Sequence, residues 1–172
     1  MKHTGAALMF LACFSVRAWS QAQIVAQVVD GGVWQTTMVV TNTTAGTAHA
    51  SLVFFKDASN YATTAWNLTF LEAASTASLT LAAGETRLLH TPGTASVLTQ
   101  GWGSITADPG VSVYAIFTQR QPGLAPQVGT SPASNSATRI LVPFDNTSGN
   151  VAAMAIVNPS GSAETVNVNV RT

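Results

Sequence analysis

The residues that could carry out chemistry are few, and none of them stands in a recognisable catalytic motif. The 172 residues include three histidines, one cysteine, seven acidic and seven basic side chains. A Ser-His-Asp triad would have to use His49 or His90, but no Gly-x-Ser-x-Gly elbow accompanies them, and Ser104 is the nearest approach to one. We therefore expect surface or strand-end histidines and no enzyme, with a secreted hydrolase as an alternative that has no motif behind it.

The acidic side chains fall mainly in segments that read as turns. Four of them are Asp30, Asp57, Asp108 and Asp145. Aspartates in turns normally accept hydrogen bonds from their own backbone, whereas glycoside hydrolysis needs two close carboxylates in a cleft. Segment 145–148 is the most oxygen-rich candidate for calcium, but it lacks the alternating ligands of an EF-hand loop. We expect no metal and no cofactor.

The aromatic residues are the more informative class for binding. Trp34 falls in phase with Met38, and Trp66 with neighbouring apolar positions, so both are expected in the core. Trp102 falls in phase with polar residues, and Tyr61 lies in a polar loop. Exposed flat rings of this kind could stack on sugars, so Trp102 and Tyr61 are the candidate ligand-binding residues; the competing interpretation is that Trp102 covers a sheet edge.

Composition excludes several classes of protein. Charged residues make up only 8% of the chain and are scattered, so nucleic-acid binding lacks its basic patch. The single cysteine, Cys13, lies in a predicted export signal, so the mature chain would hold no disulfide, no cysteine zinc site and no thiol nucleophile. A surface rich in Thr, Ser, Asn and Gln suits an exported β-protein.

Residues 1–22 read as a signal peptide. Lys2 provides the positive start, residues 5–16 the apolar stretch, and cleavage after Ser20 or after Ala22 fits the small-residue rule. The apolar stretch is too short to span a membrane. Cys13 raises lipoprotein cleavage as an alternative, which the preceding Phe10 fits poorly. We expect a secreted or cell-surface protein, extracellular or periplasmic, with no membrane span.

Short strand candidates separated by turn signals recur along the mature chain, and no helical period is sustained. The predicted strands are residues 24–29, 33–42, 48–55, 66–71, 78–81, 86–90, 101–107 and 111–118. Gly84 and the Asp108-Pro109-Gly110 sequence predict hairpins. About eight short antiparallel strands over residues 23–120 indicate an all-β, immunoglobulin-like sandwich.

A second stretch repeats the opening of this module. Residues 38–44 align with residues 154–160, about 116 positions later, and each copy runs from an apolar strand through Asn42 or Asn158 into small turn residues and a second strand. Residues 121–136, rich in Pro and Gly, are predicted to be a linker. Strands are predicted at 137–144, 150–158 and 163–170, so residues 137–172 read as a partial second repeat.

The last predicted strand has an apolar face that requires a partner. Val166, Val168 and Val170 alternate with polar residues, which is typical of an antiparallel strand with one buried face. No following strands are available within the sequence to cover those valines. We expect this segment to dock on the first module or to drive self-association.

The Gly31-Gly32-Val33-Trp34 sequence, segment 39–44, the Gly101-Trp102-Gly103 sequence and segment 155–160 resemble a group of uncharacterised secreted bacterial proteins. The resemblance implies two tandem β-sandwich modules, often at the end of larger surface proteins, with further strands beyond residue 172. It implies no catalytic residue. The expected function is thus a structural or adhesive module whose partner is a cell-surface or extracellular glycan or protein; the alternative is a carbohydrate-binding module.

Overall fold

The computed structural model describes residues 22–57, 63–145, 147 and 153–171, which form an all-β, antiparallel structure. The predicted signal peptide up to residue 21, and Tyr61, lie outside the described residues. No helix occurs in the described ranges, and hence none there that could cross a membrane. The strands are β1 (Ala22–Asp30), β2 (Trp34–Asn42), β3 (Ala48–Asp57), β4 (Thr63–Trp66), β5 (Leu79–Leu81), β6 (Thr86–His90), β7 (Thr99–Ala107), β8 (Val111–Gln119) and β9 (Gln127–Ser134).

All nine strands belong to one sheet that curls into a half-barrel. The hydrogen-bonded order is β4-β3-β7-β1-β9-β8-β2-β6, and β5 pairs with β3. Strands β1, β3, β4, β5 and β7 form a first half, strands β2, β6 and β8 form a second half, and β9 joins the two by pairing with both β1 and β8. The halves face one another because both contribute side chains to a single buried cluster.

The core follows from period-2 alternation on facing strands. In β3, Ala50, Leu52 and Phe54 are buried while the residues between them are not. In β2, Met38 and Val40 are completely buried and meet the same cluster from the opposite half. Burial of each large aliphatic or aromatic side chain stabilises the fold by about 1.5–3 kcal/mol. The apolar side chains that face each other across the core therefore hold the two halves of the curled sheet together.

Three connections between consecutive strands join strands that do not pair with each other. Strand β2 lies in one half and β3 in the other, and the same holds for β5 with β6 and for β7 with β8. Each pair is therefore an arch across the core. The hairpins predicted at Gly84 and Gly110 are wrong. Both glycines do have positive φ, at 68° and 85°, but a tight turn of this kind can serve an arch as well as a hairpin.

The segment predicted as a linker contains a strand. Residues Gln127–Ser134 form β9, which pairs with β8 over residues 127–132 and with β1 at Ala133 and Ser134. Pro132 lies opposite Tyr114, next to the position where β9 passes from β8 to β1. Proline is tolerated at such edges and irregularities of a ladder. The proline-rich composition of this segment therefore did not indicate the strand that joins the two halves of the sheet.

The strands predicted after β9 are absent from the parts of residues 137–171 that the structure describes. Residues 150–152 of the second predicted strand lie outside that description. Alternation predicts which side chains share a face, but a strand also needs a neighbouring backbone to pair with. The described C-terminal residues have the alternating pattern without that neighbour.

Candidate functional site

The turn between β2 and β3 is organised by the completely buried side chain of Asn42. Its Oδ1 accepts hydrogen bonds from the backbone N–H of Thr44 (2.9 Å) and from the Thr44 hydroxyl (2.8 Å). Its Nδ2 donates to the Gly46 carbonyl at 2.7 Å, and the Thr44 hydroxyl lies 3.1 Å from the same carbonyl. A short Asn/Thr turn thus satisfies its own backbone groups.

The same amide also fastens the turn between β5 and β6. Asn42 Nδ2 donates to the Ala82 carbonyl at 2.8 Å, and the Leu81 carbonyl lies 3.4 Å away. The backbone N–H of Asn42 donates to the Glu85 carbonyl at 2.9 Å. One buried side chain therefore links two neighbouring arches.

The turn between β7 and β8 stacks on the other side of the Asn42 turn. The Thr43 N–H and hydroxyl both donate to the Gly110 carbonyl, at 2.9 and 2.7 Å. The Asp108 carboxylate accepts from the His49 N–H at 2.7 Å, and the Asp108 N–H donates to the His49 carbonyl at 2.9 Å. We call residues 42–46, 82–85 and 108–110 the turn stack.

A second turn, residues 158–162, has most of the internal hydrogen bonds of the Asn42 turn. Asn158 Nδ2 donates to the Ser162 carbonyl at 2.7 Å, and its Oδ1 accepts from the Ser160 N–H at 3.0 Å. The Ser160 hydroxyl donates to the Ser162 carbonyl at 2.9 Å. The two turns share this geometry 116 positions apart, at the place where the sequence alignment put them.

The surroundings of the two turns differ. Met38 and Val40 before the first turn are fully buried, whereas Met154 and Ile156 before the second are about half exposed (50% and 51%). The aligned residues after the turns differ in the same way: those after Asn42 are 2–4% exposed and those after Asn158 are 57–70% exposed. These are Ala50, Leu52 and Phe54 in the first copy and Val166, Val168 and Val170 in the second. We call residues 153–171 the C-terminal segment.

Trp102 lies on the outer face of β7, opposite Phe55 of β3. The two rings stack, with centroids 4.4 Å apart and planes 20° from parallel. Trp102 is only 8% exposed, because Phe55 covers it. Its indole N–H is buried and has no hydrogen-bond partner among the described residues. Tyr61, the other candidate binding residue, lies outside those residues.

His90 forms a side-chain contact with Glu72 that the sequence did not indicate. Its Nδ1 lies 2.5 Å from Glu72 Oε1, and its backbone N–H donates to Glu72 Oε2 at 2.7 Å. Partial burial alone would raise the pKa of Glu72, but the His90 N–H and imidazole outweigh it and hold that pKa below its usual value. Glu72 lies 18 residues from His90 in a loop, so no local spacing signals the pair.

The other candidate acid–base groups also serve turns. His49 Nδ1 lies 3.3 Å from the Thr80 hydroxyl. Asp30 accepts a hydrogen bond from the Gly93 N–H at 2.8 Å. Glu85 accepts from the Ala82 N–H at 2.7 Å and pairs with Arg87 at 2.8 Å, and these two contacts lower the pKa of Glu85.

The oxygen-rich segment 145–148 is described at residues 145 and 147. Asp145 Oδ1 accepts from the Thr147 N–H at 2.8 Å and from its hydroxyl at 2.6 Å, as a turn-capping aspartate does. Within the described ranges, no group of three or more His, Cys, Asp or Glu residues could hold a metal ion.

The alignment of Asn42 with Asn158 identified the organising residues of both turns, although the alignment alone did not indicate what their side chains do. Comparison with models of protein families, with curated proteins and with solved structures finds no match to this chain.

Proposed function

We propose that this chain is an exported, non-catalytic structural or adhesive protein, built from an immunoglobulin-like module and the opening of a second one. The first module corresponds to β1–β9, whose two facing halves enclose one core as the sheets of a sandwich do. The C-terminal segment corresponds to the β2–β3 arch of the second. Its turn geometry and its alternating apolar residues support that assignment.

The observation that carries the non-catalytic proposal is how the ionisable side chains are used. Asp30, Glu72 and Asp108 each accept a backbone N–H from another part of the sheet or its loops, and Glu85 accepts one within its own turn. A carboxylate that holds a turn in this way stabilises the fold, and for Glu72 and Glu85 such contacts hold the pKa below its usual value. General acid catalysis requires the opposite, a carboxyl group whose pKa is raised towards neutrality.

A panel of chromogenic ester, glycoside and peptide substrates tests this proposal against the hydrolase alternative. The His90–Glu72 pair is the arrangement that most resembles a base and its orienting acid, so His90→Ala and Glu72→Gln are the matched variants. We expect no turnover by the parent protein and a small loss of thermal stability in both variants. Turnover that is abolished by either substitution would contradict the proposal.

The carbohydrate-binding alternative rests on Trp102, whose indole N–H is buried and unpaired. A sugar platform needs an open ring face, whereas Phe55 stacks on Trp102 and leaves little of it exposed. We therefore expect Trp102→Ala to cost about 3–5 kcal/mol of unfolding free energy, the range for a buried large aromatic residue. Affinity for a glycan array that disappears in Trp102→Ala, with an unchanged melting temperature, would favour the alternative.

Export is tested by N-terminal sequencing of the protein from a secreting host. We expect the mature chain to begin between Gln21 and Gln23. Since Ala22 already pairs with Thr106 at the start of β1, cleavage after Ser20 would keep the whole strand, and cleavage after Ala22 would remove one pair. A secreted protein that retains Met1 would contradict the predicted signal.

A further inference from the structure

The turn stack reveals a pairing rule for neighbouring arches. We call the arch formed by β2 and β3 the central arch. Its strand β2 pairs antiparallel with β6 and β8, and its strand β3 pairs antiparallel with β5 and β7. Strands β2, β5 and β7 are the first strands of their arches, and β3, β6 and β8 are the second. The first strand of one arch therefore pairs with the second strand of its neighbour, and the second with the first.

This rule is self-complementary under two-fold symmetry. If an arch stacks on a copy of itself, the first strand of each pairs with the second strand of the other, which is the relation that a two-fold axis generates. An arch without neighbours can therefore be covered by an identical arch from another molecule. We propose that the C-terminal segment pairs with the C-terminal segment of a second copy of this chain and makes a symmetric dimer.

The apolar surface around the C-terminal segment is large enough for such a contact. Eight large apolar side chains of residues 141–170 are 45–91% exposed. They are Leu141, Val142, Phe144, Met154, Ile156, Val166, Val168 and Val170. Residues 141–145 and Arg171 line one cleft, so the earlier residues adjoin the end of the segment.

The area follows from the exposure of these side chains. Each offers about 40–70 Å² of apolar surface at its observed exposure, so two copies contribute about 600–1,100 Å². Because about 60% of an interface is apolar, the whole contact would bury about 1,000–1,900 Å². That is close to the about 1,200–2,000 Å² of a specific, stable interface.

The hydrogen-bonding requirement points to the same partner. In the first module the edges of both strands of the central arch are taken up by neighbouring arches. Residues 154–157 and 163–170 pair with no strand among the described residues, so their backbone groups remain available. A second copy would cover the valine face and pair with one edge of each strand at once.

Sedimentation equilibrium of the full chain over a wide concentration range tests the dimer. The sharp variant is Val168→Asp, which places a charge on the apolar face. The matched control is Asn169→Asp, which places the same charge one residue later, on the polar face. We expect the parent chain to dimerise reversibly, Val168→Asp to weaken the dimer at least about tenfold, and Asn169→Asp to change its Kd less than about threefold.

Unfolding of the protein would not explain a weaker dimer in Val168→Asp, because Val168 lies outside the nine-stranded sheet. The tryptophan fluorescence melting curve of Val168→Asp should match that of the parent. Amides of residues 164–170 should become protected from hydrogen exchange as the protein concentration rises.

A parent chain that stays monomeric, a dimer that Val168→Asp leaves intact, or protection independent of concentration would each overturn the proposal. The last outcome would assign the segment to a partner within its own chain. Because the dimer goes beyond the proposed function, its failure would leave the non-catalytic proposal untouched.

Discussion

The turns at Asn42 and Asn158 share most of their internal hydrogen bonds, yet only the first is part of a folded core. Around Asn42, the turns at residues 82–85 and 108–110 stack on both sides, and the strands it joins are buried. Around Asn158, the described residues supply neither neighbour, and the corresponding side chains are half exposed or more. The hydrogen-bonded turn is similar at Asn42 and Asn158, and the two regions differ in the residues that pack against that turn.

The comparison indicates that the Asn side chain sets the backbone conformation of its turn but does not stabilise a fold by itself. Its short hydrogen bonds replace bonds to water, so each contributes only about 0.5–1.5 kcal/mol. The large terms in the first copy come from the apolar side chains that the arches bury between them. A second copy of the turn therefore needs partners before it contributes comparably.

The largest difference between the two regions should appear when an apolar side chain is truncated. Leu52→Ala removes a 2% exposed side chain from the core and should lower the unfolding free energy by about 2–5 kcal/mol. Val168→Ala, at the aligned position, should change it by less than about 0.5 kcal/mol. Urea denaturation followed by tryptophan fluorescence measures both. Equal losses would mean that the C-terminal segment is packed into the same cooperative core.

The asparagines themselves should differ next. Asn42→Ala leaves the Ala82 and Leu81 carbonyls without their amide partner, and we expect a loss of about 2–4 kcal/mol because buried groups are left unsatisfied. Asn158→Ala removes only bonds within its own turn and should cost less than about 0.5 kcal/mol. Thermal denaturation of both variants makes the comparison. A cost at Asn158 that matches the cost at Asn42 would contradict it.

Glycine substitutions should give a smaller separation. Gly110 has φ of 85°, and a Cβ there would clash with the Thr44 side chain. Gly110→Ala should therefore destabilise the turn stack by about 1–3 kcal/mol. Gly161 stands where the first turn has Ala45, and a Cβ there meets nothing within 4 Å, so Gly161→Ala should be neutral. Calorimetric melting temperatures check both changes.

Acid should give the smallest effect, confined to the first region. Hydrogen bonds lower the pKa values of Glu72 and Glu85 in the folded state below the ordinary 4.5. Their stabilising contribution is therefore complete above about pH 4.5 and is lost as the pH falls through the lowered pKa values. Both side chains are partly solvent-exposed, so the loss should be small.

The acid prediction is checked by following urea midpoints from pH 6 to pH 3. Glu85→Gln should flatten the acid dependence of the midpoint, because it removes one of the two titrating contacts. Glu164→Gln, in the C-terminal segment, should leave that dependence unchanged. If Glu164→Gln altered the acid dependence more than Glu85→Gln does, the effect would belong to the C-terminal segment and the prediction would be wrong.

The sequence predicted much of the strand content and less of the arrangement. Alternation placed Met38 in the core correctly, and the bounds predicted for β6, residues 86–90, match the structure. Arches could not be distinguished from hairpins, because the glycine turns that signal a reversal at Gly84 and Gly110 suit both. Strand β9 was missed because prolines such as Pro132 are typical of linkers.

Some residues of the candidate site could likewise be predicted from the sequence, and others could not. Asn42 and Asn158 could be identified from the sequence, because residues 38–44 align with residues 154–160. The contact between Glu72 and His90 could not, because it joins a loop to a strand through the tertiary fold. The sequence left two interpretations of Trp102 open, an exposed ring or a covered one. Its contact with Phe55 could not be predicted, because it depends on the register of β3 and β7.

Hydrogen exchange at two equivalent amides shows whether the two turns differ in how firmly they are held. Thr44 and Ser160 donate the same bond, to Asn42 Oδ1 at 2.9 Å and to Asn158 Oδ1 at 3.0 Å. In the Val168→Asp chain at low concentration, we predict that the Thr44 amide exchanges at least about a thousandfold more slowly than the Ser160 amide, because only the first turn is locked into a cooperative core. Equal protection of the two amides under those conditions would contradict the account.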